Sequence, residues 1–127
     1  MDENGQPGVS IVVIDDEDVM RSACRDILED RGYHVTTFAS AEDGLAYVRS
    51  APPAVAIVDL MMPRMSGREV LRRIREIAPD VLSIVITGYA TLETEAETRE
   101  IGAFGFLPKP FTPGELRRLV EKALAAR

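Results

Sequence analysis

Apolar residues along the chain fall into five compact runs, separated by stretches that repeat at the helical period. The runs are Ile11-Val12-Val13-Ile14, Val35 to Phe38, Ala54 to Val58, Leu82 to Ile86, and Phe104-Gly105-Phe106-Leu107. Most are apolar at consecutive positions, the pattern of strands covered on both faces. After the first run, Val19, Met20, Ala23, Cys24, Ile27 and Leu28 recur every three or four residues, and Gly32 stands where a helix ends in a left-handed residue. Ser40, with Asp43 three positions on, opens a second helix. Ser66 and Glu69 form a capping-box pattern ahead of Val70, Leu71, Ile74 and Ile77, and Pro79 stops that helix. Thr91 to Ile101 carries Glu93, Glu95, Glu97, Arg99 and Glu100, which leaves only Leu92, Ala96 and Ile101 as an apolar stripe. This fourth helix is expected to be the most weakly docked. The last helix has Thr112 at its cap, Pro113 in its first turn and Glu115 three after the cap, followed by Leu116, Leu119, Val120, Ala123 and Leu124.

Five strands alternating with five helices predict an α/β fold, a parallel sheet doubly wound by helices through right-handed crossovers. Of the common layouts, five strands fit the flavodoxin-like order 2-1-3-4-5. A chain of 127 residues suits one domain. Residues 1–8, polar and holding Gly5, Pro7 and Gly8, are expected to be a flexible lead, with the domain over 9–127.

Composition narrows the function. With 46% hydrophobic and 28% charged residues the chain is of ordinary globular make-up. Its net charge of −6 disfavours direct nucleic-acid or anionic-membrane binding. No apolar run approaches the roughly 18 residues of a membrane span, and the acidic start (Met1, Asp2, Glu3) is not expected to act as a secretory signal. The lone Cys24 closes no intrachain disulfide, so a cytoplasmic location is the expectation.

Ligands in such a sheet bind beyond the carboxyl ends of the strands. The first run ends at Asp15-Asp16, the third at Asp59, the fourth at Thr87, and the fifth at Lys109 after Pro108. Parallel strands bring three carboxylates, a hydroxyl and an ammonium to one rim. Two bare carboxylates about 4 Å apart repel by roughly 4 kcal/mol at an effective dielectric near 20. A divalent cation relieves this, and an all-oxygen set that keeps several waters favours Mg²⁺. Three carboxylates, Mg²⁺ and Lys109 sum to zero charge, so a phosphoryl group enters without repulsion. The carboxylate ending the central strand then attacks phosphorus, giving an acyl phosphate. Lys109 stands out because the chain has thirteen Arg and only two Lys. His34 and Cys24 read as a strand-end residue and a core residue.

Asp15-Asp16, Asp59-Leu60-Met61-Met62-Pro63 with Gly67, Thr87-Gly88, and Gly102-Ala103 through Phe106 to Lys109-Pro110-Phe111, in this order and spacing, resemble the receiver domain of two-component response regulators. The stretch from Thr87 to Phe111 is most similar to receivers of the nitrogen-regulation type. The resemblance implies that Asp59 accepts a phosphoryl group from a sensor histidine kinase or a phosphotransfer protein. It implies that Asp16, Asp59 and the Met61 carbonyl ligate Mg²⁺, with Asp15 acting through a bound water. Thr87 and Lys109 contact the phosphoryl oxygens, and Phe106 is the switch aromatic that follows Thr87. Met61 and Tyr89 flank the mouth, and a cis Lys109-Pro110 bond is expected.

The face of helix 4, strand 5 and helix 5 is the implied output surface, toward an output domain, a partner or a second copy in a homodimer. Gly105 departs from the family pattern, standing where many members carry an acidic residue. The domain is then a signalling switch rather than a turnover enzyme. A phosphorylation-independent interaction module on the same fold is the alternative. A phosphatase working through an aspartyl intermediate fits less well, because its nucleophile usually follows the first strand with a second acid two residues on.

Overall fold

The computed structural model describes residues 8–127. Apart from Gly8, the expected amino-terminal lead lies outside the described residues. The strands are β1 (Ser10–Ile14), β2 (His34–Phe38), β3 (Val55–Asp59), β4 (Leu82–Thr87) and β5 (Gly105–Pro108). They alternate with α1 (Asp18–Glu29), α2 (Ala41–Ser50), α3 (Gly67–Ile77), α4 (Leu92–Ile101) and α5 (Pro113–Ala126). All strand pairs are parallel, in the order β2-β1-β3-β4-β5. The sheet is the one the hydrophobic runs predict.

Alternation along the central strands divides the core in two. Ile11, Val13, Val55, Ile57, Ile84 and Ile86 pack against Cys24 and Leu28 of α1 and Leu116, Val120 and Ala123 of α5. Val12, Ile14, Ala56 and Val58 turn to the other face, against Leu45 and Val48 of α2 and Val70 and Ile74 of α3. A third cluster of Leu60, Leu71, Val85 and Ala103 lies toward α4, with Phe106 against it. Each fully buried aliphatic side chain contributes roughly 1.5–3 kcal/mol. The strands are therefore the rigid part of the molecule, and their carboxyl ends are fixed points.

The helix starts mostly follow the sequence. Ser40, Ser66, Thr91 and Thr112 each accept a hydrogen bond from the backbone N–H three residues on. The box expected at Ser66 and Glu69 is half formed. The Glu69 carboxylate turns instead to Arg73 at 3.0 Å and Arg72 at 3.5 Å, ion pairs that compete with the cap. Gly32 has φ +85°, as its place after α1 requires.

Of the apolar stripe expected on α4 only Ile101 docks, half-buried against the Leu60, Leu71, Val85 and Ala103 cluster. Leu92 is 87% exposed and Ala96 is also exposed, while the one buried residue of the helix is Thr98. A buried threonine, its hydroxyl returned to the Glu95 carbonyl at 3.1 Å, contributes less than an aliphatic residue there. Polar ties supplement it: the Arg68 guanidinium on α3 pairs with Glu97, and Arg75 donates to the Ile101 carbonyl at 3.1 Å. The helix is held lightly, as its charge pattern predicts.

Two glycines are explained by packing. A Cβ at Gly105 would lie 2.7 Å from Leu119 Cδ1, so the missing side chain lets α5 sit close on β5. At Gly67 a Cβ would lie 2.5 Å from the Asp59 carbonyl oxygen and 2.6 Å from Leu60 Cα, both backbone atoms. The Gly67 N–H also donates to the Leu60 carbonyl at 3.0 Å, which pins the start of α3 to the end of β3. Gly67→Ala is expected to cost about 1–3 kcal/mol in urea unfolding, whereas Gly114→Ala, in α5 with the Arg118 guanidinium at 3.5 Å as its nearest neighbour, is expected to be neutral or to stabilise by up to about 1 kcal/mol.

Candidate functional site

Three strand ends finish in the same local turn. The Asp15 carboxylate accepts from the Glu17 N–H at 2.9 Å, Asp59 from the Met61 N–H at 3.3 Å, and the Thr87 hydroxyl from the Tyr89 N–H at 3.0 Å. An oxygen two residues back satisfies the first free amide after each strand and fixes that side chain. Asp15 and Thr87 are wholly buried and Asp59 is 3% exposed. Asp59 pairs in register with Ile86, one residue before Thr87, and the Lys109 N–H donates to the Thr87 carbonyl at 2.8 Å. The Lys109-Pro110 bond is cis, as expected.

The Lys109 ammonium sits among carboxylates, 2.9 Å from Glu17 Oε1, 3.2 Å from Asp15 Oδ2 and 3.6 Å from Asp59 Oδ1. One ammonium cannot balance three acids. Burial and the neighbouring Asp15 push the Asp59 carboxyl up from 3.8 to about 6, against the pull of Lys109 and the Met61 N–H. Asp15 is also raised, chiefly by burial. For Lys109, burial acts downward, but the hydrogen bond to Glu17 and the charges of Asp15 and Asp59 outweigh it and raise the ammonium. Carboxylate oxygens of Asp15, Glu17 and Asp59 lie within 4.8 Å of one another, a hard-oxygen set with excess negative charge that could hold a divalent cation.

The strand-end reading thus brings Asp15, Asp59, Thr87 and Lys109 together. Asp16 is exposed and lies outside the triad of close carboxylates, though its charge adds to the pressure on Asp59. Glu17 takes a place in the cluster that sequence reasoning missed. The only signal was the acidic run Asp15 to Asp18, and nothing in it says which side chain turns back toward the sheet. Met61 and Tyr89 are exposed beside Asp59 and Thr87, and Met62 packs against the α2–α3 cluster. Phe106 is half-buried and lines a cavity of about 310 Å³ with Ala90, Leu92 and Glu95. A Cβ at Gly88 meets no atom within 4 Å, so any need for a small residue there comes from what enters the site. Cys24 is core, its thiol pushed up to about 12 by burial and by Asp15. His34 is exposed at the start of β2.

A single parallel sheet, covered by helices on both faces and carrying carboxylates and a lysine at its carboxyl rim, is the arrangement of a receiver-type signalling domain. The family model for the response regulator receiver domain matches residues 11–121, and the chain belongs to that family. It is 36% identical over 115 residues to the DNA-binding transcriptional regulator NtrC of Azospirillum brasilense, covering 91% of this chain and 24% of that one. The chain thus spans about a quarter of that relative's length. A receiver domain structure from Methanospirillum hungatei JF-1 superposes with a TM-score of 0.90 at 30% identity, over 94% of this chain and 96% of that one. The beryllofluoride-activated NtrC4 receiver domain dimer gives 0.88 at 30% identity, over 92% and 97%. Among the described residues, no helix is long and apolar enough to cross a membrane.

The raised Asp59 carboxyl carries a stability prediction. The unfolded group titrates near 3.8 and the folded one near 6, so the folded state binds the extra proton in that window. Stability from this group falls as pH rises from about 4 to 6 and stays lower above. Asp59→Asn is expected to stabilise the metal-free domain by about 1–3 kcal/mol at pH 7 in urea unfolding, with the gain vanishing below pH 4.

Proposed function

We propose that this domain is a phosphorylation-activated switch that takes a phosphoryl group onto Asp59 from the phosphohistidine of a sensor kinase or a phosphotransfer protein. The observation that carries this is the buried Asp59 at the end of the central strand, with the Lys109 ammonium 3.6 Å from its carboxylate and Thr87 ending the next strand. An Asp59 oxygen attacks phosphorus, the P–N bond breaks, and its electron pair stays on the imidazole nitrogen. Lys109 meets the charge on the phosphoryl oxygens. The Thr87 oxygen already accepts from Tyr89, which leaves its O–H free to donate to the same group.

The all-oxygen chemistry of the close carboxylates Asp15, Glu17 and Asp59 fits Mg²⁺; Asp15, Asp59 and, by the family resemblance, the exposed Asp16 and the Met61 carbonyl are the residues that would hold it. When bound, the metal neutralises charge shared by the acceptor and the phosphoryl oxygens. Without that neutralisation the raised Asp59 carboxyl is a poor host for further negative charge. The chain's own part is to fix the acceptor, present one ammonium, and exclude bulk water from the buried side of the site.

Phosphorylation adds roughly one negative charge and new acceptors at Asp59. Thr87 and Lys109 then move toward the phosphoryl group and Phe106 follows Thr87 inward. Support for a readout on this side comes from α4, which buries a single threonine and bears the exposed Leu92 beside the Phe106 cavity. The α4–β5–α5 face is therefore the surface offered to an output domain, a partner or a second copy. The domain works as a signalling element in the cytoplasm and not as a turnover enzyme.

With acetyl phosphate and Mg²⁺, the wild-type chain is expected to gain one acid-labile phosphate, and Asp59→Asn none; labelling that persists in the variant moves the acceptor elsewhere. Beryllofluoride with Mg²⁺ is expected to shift the amide signals of Thr87, Phe106 and α4, while in Thr87→Ala, at saturating beryllofluoride, the shifts at Phe106 and α4 shrink at least twofold. An unchanged spectrum in the wild type rejects the switch.

A further inference from the structure

We propose that Glu17 is a positioning residue that holds the Lys109 ammonium in the unphosphorylated site, so that the phosphoryl group gains Lys109 only by displacing it. The inference rests on Asp59 as acceptor and adds a regulator of that site. Two independent features point to Glu17. The first is contact: Glu17 Oε1 is the nearest of the three carboxylate oxygens to Lys109 Nζ, at 2.9 Å. The second is its place in the fold. Glu17 occupies the N-cap of α1, a position that favours Ser, Thr, Asp or Asn, and it makes no side-chain cap bond. The other four helices all use a serine or threonine cap. The carboxylate at this position is committed across the loop to Lys109 and not to its own helix.

The three acids differ in what release costs them. Asp15 is wholly buried and its other oxygen is tied to the Glu17 N–H, so it has nowhere else to go. Asp59 becomes the phosphoryl carrier. Glu17, with a side chain 61% exposed, rehydrates when it lets go. As the charge on Asp59 grows, Lys109 exchanges Glu17 for a phosphoryl oxygen and keeps Asp15. Until then Glu17 withholds the ammonium and places a negative charge at the mouth, and both slow the arrival of an anionic phosphodonor.

The test uses the full chain and Glu17→Ala, with Asp18→Asn as a control that removes a neighbouring charge without touching Lys109. Only Lys109 and Lys122 are lysines, so ¹⁵N-lysine labelling gives two ammonium signals. In metal-free protein, Glu17→Ala is expected to speed solvent exchange of the Lys109 ammonium at least threefold and leave Lys122 unchanged. The initial rate of Asp59 phosphorylation by acetyl phosphate with Mg²⁺ is expected to rise at least threefold in Glu17→Ala, and less than half as much in Asp18→Asn. In that reaction an Asp59 oxygen forms the new P–O bond and acetate leaves with the electrons of the old one. Unchanged ammonium exchange overturns the proposal. So does an unchanged or slower rate, the result expected if Glu17 served as a metal ligand, and so does an equal gain in Asp18→Asn, which would reduce the effect to charge alone. A wild-type chain that takes no phosphate on Asp59 overturns the acceptor reading and this inference together, whereas normal wild-type labelling with no gain in Glu17→Ala overturns this inference alone.

Discussion

Negative charge buried at the carboxyl rim of the sheet is the constraint on which the rest of this structure depends. Asp15 and Asp59 are out of water at the ends of adjacent strands, and Lys109 is the single ammonium set among them. Such a site opposes its own ionisation, which is why the Asp59 carboxyl rises to about 6. The fold accepts this local cost because two aliphatic layers hold the strands from both sides. A group that brings positive charge, or that redistributes the charge already there, meets a site made ready for it.

Rigidity and looseness are placed differently around that rim. Repeated side-chain turns after β1, β3 and β4 fix the oxygens, and the backbone contact of Gly67 with Asp59 and Leu60 locks α3 beneath Asp59. In contrast α4 has one buried threonine, a pairing of Arg68 with Glu97, and a hydrogen bond from Arg75 to its last carbonyl. Arg68 directly follows Gly67, so the element that touches the Asp59 strand end also touches the helix that is held least. Elements of low local stability are the ones that respond first when a nearby charge changes.

How far the site was legible depended on backbone reach. Asp15, Asp59, Thr87 and Lys109 could be grouped from sequence because each lies at or just beyond the end of a strand, and parallel pairing leaves little choice about where those ends meet. Glu17 and Asp16 could not be ranked. They lie in a turn, where a change of one residue redirects a side chain by a large angle, and the choice between them is made by Lys109, ninety-two residues away. The half-formed box at Ser66 fails for a related reason, since Arg72 and Arg73 offer Glu69 a stronger partner than a backbone amide. Gly105 looked like a departure at an output face, and only the approach of Leu119 shows that it makes room for α5.

By itself the sequence determined the number, kind and order of the elements, the sheet they form, and the four strand-end groups of the site. Hydrophobic periodicity and strand pairing are local or nearly local rules, so they can be read from one chain. Tertiary structure decided that Thr98 and Ile101, not Leu92 or Ala96, seat α4, and that Leu92 stands in solvent beside Phe106. It also decided that Glu17 completes the ring of acids around Lys109. These outcomes depend on how far one helix can approach the sheet and on which charge finds which partner, and both are fixed only when distant segments meet.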